Sequence, residues 1–425
     1  MRLPALYLLP VLLLTVRPLS AQELPSADSN AISRIMQVLS HDSMEGRGNL
    51  QPGLLKAALF TVEEFRQPGV LPWPGEPYLC QAFRPAGGKK NETGDRLQWN
   101  GKEKDRAAFV FFHGRPGVYP DHDKSYFLIK EIALIDDSTF LRVDTGASPL
   151  LLWCRQPLAK GQRVDRIKYR FPAQGLVRDV LLVVADTVPA GLRLSADEKF
   201  YASLEYNIAG ILPGLSRETI LFSAHYDHEG IMSPGKKGED RTMNGANDNA
   251  SGTAAVLSLL SSFSRAPQQQ RTLGFICFAG EELGLEGSKE FTRTKFTDSI
   301  VAMVNIEMIG VPQLGKKTVF ITGPNDSGLP DLLGAGLRAN GLVLVQDPVP
   351  DRDLYGRSDN YPFALRDIPA HTVMGSTDDD ACYHQVCDEI GRIDIANLTD
   401  IINVIRVAMK PFIDGSISPE KIRKG

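Results

Sequence analysis

The hydrophobic pattern of the chain changes character near Asn207. Upstream, Ser29–Leu39 and Leu54–Phe65 carry helix-spaced apolar positions on either side of a polar, glycine-rich turn at 41–48. Residues 67–90 are dense in Pro and Gly and read as irregular chain. Across 91–200, short β-type runs alternate with turns: Ala107–Phe112, Ser125–Ile132 and Val180–Ala185, the last reading as a buried strand bounded by charges. From Asn207 onward strands and helices alternate. Asn207–Leu212, Thr219–Ser223, Leu273–Ala279, Ile300–Ile306 and Thr318–Ile321 are strand candidates. Thr253–Phe263, Asp331–Ala339 and Ile395–Met409 have helical spacing. This alternation predicts an α/β fold with a mixed, mostly parallel central sheet covered by helices on both faces, and 91–200 as an inserted, β-rich accessory lobe.

Composition narrows the classes without naming one. With 425 residues and 43% hydrophobic content, the chain can build a core without staples. A net charge of −4 and the lack of a basic stripe argue against a nucleic-acid or anionic-membrane partner. Residues 1–21 have the pattern of a signal peptide. Arg2 precedes the short apolar stretch Leu6–Val16, and Leu19-Ser20-Ala21 offers small residues for cleavage, so export to the periplasm or beyond is expected, with no membrane segment in the mature form. The five cysteines do not form a disulfide framework, although Cys382 and Cys387 are close enough to bridge across a loop.

The chemistry is concentrated after the strand candidates. His225 and Asp227 follow Thr219–Ser223, with His228 beside them as a second-ranked ligand. Asp248 lies in Gly245-Ala-Asn-Asp-Asn-Ala-Ser-Gly252, ahead of a helix. Glu281 and Glu282 follow Leu273–Ala279, Glu307 follows Ile300–Ile306, and His384 comes late, in Cys382-Tyr-His. Each has a plain alternative: a solvated loop for His225 and Asp227, a helix cap for Asp248, an acidic helix start for Glu281-Glu282, a structural role for a lone His. Together they are imidazoles and carboxylates at sheet ends, where ligands bind in such folds. That donor set suits zinc. His225, Asp248, Glu282, Glu307 and His384 exceed one tetrahedral site, which favours two metals sharing a bridging carboxylate. Adjacent Glu281 and Glu282 project differently from a turn, so one can bind metal while the other faces the attacking water.

In this order the motifs His225-Tyr-Asp-His, Gly245–Gly252, Gly280-Glu-Glu-Leu-Gly, Asn305-Ile-Glu-Met-Ile-Gly and Tyr383-His resemble those of the secreted di-zinc aminopeptidases. That zinc exopeptidase family also includes glutamate carboxypeptidase and the catalytically dead transferrin-receptor ectodomain. Met44-Glu-Gly-Arg47 and Arg357-Ser-Asp-Asn360 also resemble family segments, and the likeness spans about residues 30–90 and 205–412. It implies two Zn2+ ions: His225, Asp248 and Glu307 on one, Asp248, Glu282 and His384 on the other, with Asp248 bridging. Glu281 would be the general base and Asp227 would orient His225. Glu307 departs from the family, which usually has Asp there. The implied activity is hydrolysis of N-terminal peptide bonds. A carboxypeptidase or dipeptidase would need a basic patch, for which Arg352, Arg357 and Arg366 are candidates. A glutaminyl-cyclase-like reaction on one zinc is disfavoured by the presence of both His225 and Glu307. A silent binding ectodomain should lack ligands, and none is missing. The expected division is 22–90 as the first part of the catalytic domain, 91–200 as the insert and 201–425 as the main catalytic domain.

Overall fold

The computed structural model describes residues 25–85, 204–232 and 239–420, together with seven short strands between 96 and 195. The expected leader, 1–21, lies outside the described residues, as does most of the run Ser125–Ile132. Helix α1 (Ser29–Leu39) starts at the side-chain cap of Asp28 and buries Ile32, Ile35, Met36 and Leu39, one stripe at helical spacing. Helix α2 (Pro52–Phe65) begins two residues before its apolar pattern because Pro52 suits a first helical turn.

The central sheet has eight strands: β1 (Cys80–Phe83), β2 (Glu205–Leu212), β3 (Ser216–His225), β4 (Arg271–Phe278), β5 (Ile300–Glu307), β6 (Thr318–Ile321), β7 (Val343–Leu344) and β8 (Ala370–Met374). Their order is β1-β2-β4-β3-β5-β8-β6-β7. The four middle strands are mutually parallel, and β1, β2 and β6 introduce antiparallel pairs. The sheet is therefore mixed and mostly parallel, as its alternating pattern predicts. The strands between 96 and 195 pair only among themselves, in a three-stranded and a four-stranded sheet.

Three strands of the central sheet escape the sequence pattern. Cys80–Phe83 lies in the segment read as irregular. It is an edge strand of four residues, too short to establish a period beside so many prolines. Val343–Leu344 is a two-residue edge strand. Ala370–Met374 is buried at every position, so no polar alternation marks it.

Helices cover both faces. Helix α3 (Ser251–Ser264) is buried along nearly its whole length between the sheet and α1, α2 and α6 (Ile395–Ala408). Gly252 permits this approach, since a Cβ there would stand 2.2 Å from the Ile306 carbonyl oxygen. Side chains alternate across the strands. Ile220, Phe222 and Ala224 enter this core with Phe263 and Phe275, whereas Leu221 and Met303 join Trp73, Phe278, Phe291 and Phe363 on the opposite face. The second face is covered partly by helix α4 (Glu286–Phe291), and helix α5 (Leu329–Ala339) packs against β7 and α6.

Candidate metal centre

The parallel register brings the strand ends level. His225, the last residue of β3, pairs with Phe278, the last of β4. Ser223 pairs with Asn305, which sets His225 level with Glu307, and Glu307 pairs with Met374. Period-two alternation puts Ser223 and His225 on the face of Leu221, and Asn305 and Glu307 on the face of Met303. A row of polar side chains thus ends two buried strands on one face. Ser223 Oγ donates to Asn305 Oδ1 at 2.7 Å, and Asn305 Nδ2 donates to Ser358 Oγ at 2.8 Å and Thr372 Oγ1 at 3.2 Å. Ser358 Oγ donates in turn to Glu307 Oε2.

Asp248 comes from the loop 246–250 that leads into α3. Its Oδ1 lies 3.4 Å from His225 Nε2, while its Oδ2 lies 3.2 Å from His384 Nε2 and 3.7 Å from His228 Nδ1. Glu282 Oε1 lies 3.2 Å from the same His384 nitrogen and 3.0 Å from His228 Nδ1. One carboxylate therefore turns a different oxygen to each of two imidazole groups, the disposition of a bridging ligand. His225 Nε2 and His384 Nε2 are buried without a hydrogen-bond partner, although carboxylate oxygens lie 3.2–3.4 Å away. Close but unaligned donor atoms of this kind fit a shared cation, and the nitrogen and oxygen set suits zinc. His228, Asp248, Glu282 and His384 each offer one ligand atom, all within 4.8 Å of one another.

A second layer holds these groups. The carboxylate of Asp388 accepts from the backbone N–H of Asn247 at 3.0 Å and of Asp248 at 3.0 Å. Asp388 directly follows Cys387, whose disulfide to Cys382 closes the loop that carries His384. His384 itself has φ 53° and stacks on Tyr383, ring centroids 3.9 Å apart. Asp227 does more than face His225, whose Nδ1 is 3.7 Å from its Oδ1. Its carboxylate also accepts from the backbone N–H of Glu281 at 3.3 Å and of Glu282 at 3.1 Å, and from Asn49 Nδ2 at 2.8 Å.

Charge is crowded here. Burial, then the neighbouring carboxylates Glu282 and Glu307, push the Glu281 carboxyl well above the usual range. Burial also disfavours ionised Glu282, but the hydrogen bond with His228 and the nearby imidazole of His384 prevail and hold it well below that range. Two adjacent carboxyls with opposite displacements suit opposite roles, a proton carrier and a permanently ionised ligand. Burial raises Glu307, against the opposing pull of His225 and Ser358. It also raises Asp359, a wholly buried neighbour in the same electrostatic cluster, to about 7.

Residues 207–409 match the model of peptidase family M28. Among curated relatives, a probable leucine aminopeptidase of Arthroderma otae is 32% identical over 152 residues, covering 34% of this chain and 39% of its own length. The probable lipoprotein aminopeptidase LpqL of Mycobacterium tuberculosis is 26% identical over 239 residues, covering 48% and 45%. The chain thus spans less than half the length of each of these relatives. The zinc aminopeptidase BSAP from Bacillus subtilis shares the fold with a TM-score of 0.54 at 17% identity, over 93% of this chain and 98% of that one. LapB from Legionella pneumophila does so with a TM-score of 0.51 at 14% identity, over 91% and 72%.

Within this matched segment, Asp248, Glu282 and His384 meet in one cluster, and His225 joins it through the other oxygen of Asp248. Glu307 shares the electrostatic field of His225 and Asp248, and one of its oxygens is taken by Ser358. His228, ranked second to His225 from the sequence, stands in the cluster beside Glu282. Sequence reasoning gave no role to Arg47, Asn49, Ser358 or Asp388. Arg47 and Ser358 lie in the segments that resembled the family, which was a usable signal. Asn49 and Asp388 carry none, because their partners are remote in sequence.

Proposed function

We propose that the chain is an exported zinc aminopeptidase in which two zinc ions activate water at the rim of the sheet. The observation that carries this reading is the split of Asp248, one oxygen towards His225 and the other towards His384. His225, Asp248 and Glu307 would hold one ion, and Asp248, Glu282 and His384 the other. When bound, the ions supply Lewis acidity and lower the pKa of water. Glu281 is the general base: it takes a proton from water and delivers it to the leaving amine. Its raised carboxyl suits a group that must hold the proton it has taken before passing it on. Asp227 fixes the backbone of both glutamates and faces His225.

The carboxypeptidase alternative loses support because its basic candidates are engaged. Arg352 and Arg357 pair with Asp378 at 2.7 and 2.9 Å, and Arg366 lies 3.5 Å from Asp298. Export rests on the N-terminal pattern, and no helix among the described residues is long and apolar enough to cross a membrane. The test is an assay of paired peptides with free and acetylated amino termini, with and without chelator. The proposal expects cleavage of the free-amine peptide only, abolished by chelation and restored by zinc. Cleavage of the blocked peptide at an equal rate would contradict an aminopeptidase.

A further inference from the structure

Arg47 is fully buried, yet among the described residues its guanidinium meets no carboxylate. Nε donates to the Tyr226 carbonyl at 2.7 Å, Nη1 to those of Leu39 at 2.7 Å and Asn244 at 2.5 Å, and Nη2 to those of Gly245 at 2.9 Å and Asp248 at 3.4 Å. The choice of acceptors is informative. Tyr226 stands between His225 and Asp227. Asn244 and Gly245 lead into the loop that presents Asp248, and the last carbonyl belongs to Asp248 itself. Leu39 ends α1, where helix carbonyls lack internal partners and attract cations. One planar group thus ties the strand end carrying His225 to the loop carrying the shared carboxylate.

The neighbours of Arg47 continue the pattern. The His228 N–H donates to the Arg47 carbonyl at 3.1 Å, and Asn49 Nδ2 reaches Asp227. The backbone is left-handed at Glu45, Gly46, Arg47 and Leu50, which is costly unless the surroundings enforce it. Gly46 lies so close to the chain just ahead of Asn244 that a Cβ would stand 2.5 Å from the Met243 carbonyl oxygen. Burying an unpaired guanidinium is costly as well, and the five carbonyls together with the surrounding Asp248, Asp388, Asp227 and Glu282 offset that cost.

We propose that Arg47 is a positioning residue of the metal centre: it sets the relative placement of His225 and Asp248, so the centre is incomplete without a segment upstream of the family-matched residues 207–409. This rests on the metal-centre reading above. Loss of such an outer partner typically weakens metal binding about 10–100-fold.

The experiment measures zinc affinity of the full chain by chelator competition, well below the melting temperature, for the native protein, Arg47→Met, Arg47→Lys and His384→Ala. The expected result is at least about 10-fold weaker zinc binding in Arg47→Met and an intermediate value in Arg47→Lys, which keeps the charge but cannot span five carbonyls. Circular dichroism should match the native fold in both. A folded Arg47→Met with native zinc affinity overturns the proposal, even if its melting temperature falls, because that is all a purely structural role predicts. If Arg47→Met fails to fold, Arg47→Lys decides by the same criterion. Native zinc binding in His384→Ala would instead sink the metal-centre reading, whatever the Arg47 variants do.

Discussion

The histidines of this fold are pushed in opposite directions. His371, on β8, has only neutral partners: Ser327 Oγ at 2.7 Å, the Thr322 carbonyl at 2.9 Å and the stacked ring of Tyr355. Burial lowers it from 6.5 to about 4, so it stays uncharged. His225 is buried just as deeply, but there Asp248, Asp227 and Glu307 more than reverse the effect of burial and lift it to about 9. His384 rises to about 10 because Asp248 and Glu282 outweigh its burial. Burial alone removes charge, whereas burial among carboxylates demands positive charge. A bound cation would meet that demand at the sheet ends, and none of the described partners of His371 creates it.

The sharpest way to break this contrast is to exchange ligands. His225→Ala and Glu282→Ala are expected to lose bound zinc and with it all measurable peptide hydrolysis, whereas His371→Asn keeps both. Elemental analysis checks the first half and a peptide assay the second. Full zinc in either ligand variant would remove that residue from the set.

Next in size is Glu281→Gln. It should retain zinc and lose roughly 10²-fold or more in turnover, as expected for a missing general base. Near-native turnover at full zinc content would strip Glu281 of that role.

The third effect is a pH dependence of stability that comes from His371. Its folded pKa lies below the unfolded value, so folding favours the neutral ring. Stability from this group is complete above 6.5 and is lost as pH falls towards 4, about 3 kcal/mol in all. Urea unfolding at pH 7.5 and 4.5 should therefore show a smaller acid loss in His371→Asn than in the native chain. Equal losses would mean that the ring is not held neutral.

Much of this contrast was legible in the sequence, and the exceptions have physical causes. His225 and Glu282 were legible because each follows an apolar run, and Asp248 and His384 because their motifs come in an order that resembles one family. Helices such as Ser29–Leu39 were legible because one face is buried. Cys80–Phe83 and Ala370–Met374 were not, the first for its brevity and the second for burial on both faces. Asp388 and Asn49 act through backbone amides and a carboxylate brought near by tertiary folding, a contact no local pattern encodes.

The smallest effect concerns the loop of His384. Replacing Cys382 and Cys387 together with Ser should cost about 2 kcal/mol, since the bridged loop is short, and loosen zinc binding several-fold. Chelator competition on the double variant checks this. Unchanged affinity would mean that Asp388 alone holds the loop.

The central claim, that Asp248 joins two cations at one rim of the sheet, is tested most directly by anomalous diffraction at the zinc edge from crystals of the full chain grown with zinc. Two peaks flanking the Asp248 carboxylate, one beside His225 and one beside His384, are the predicted result. A single peak away from Asp248, or none at that rim, would contradict the account.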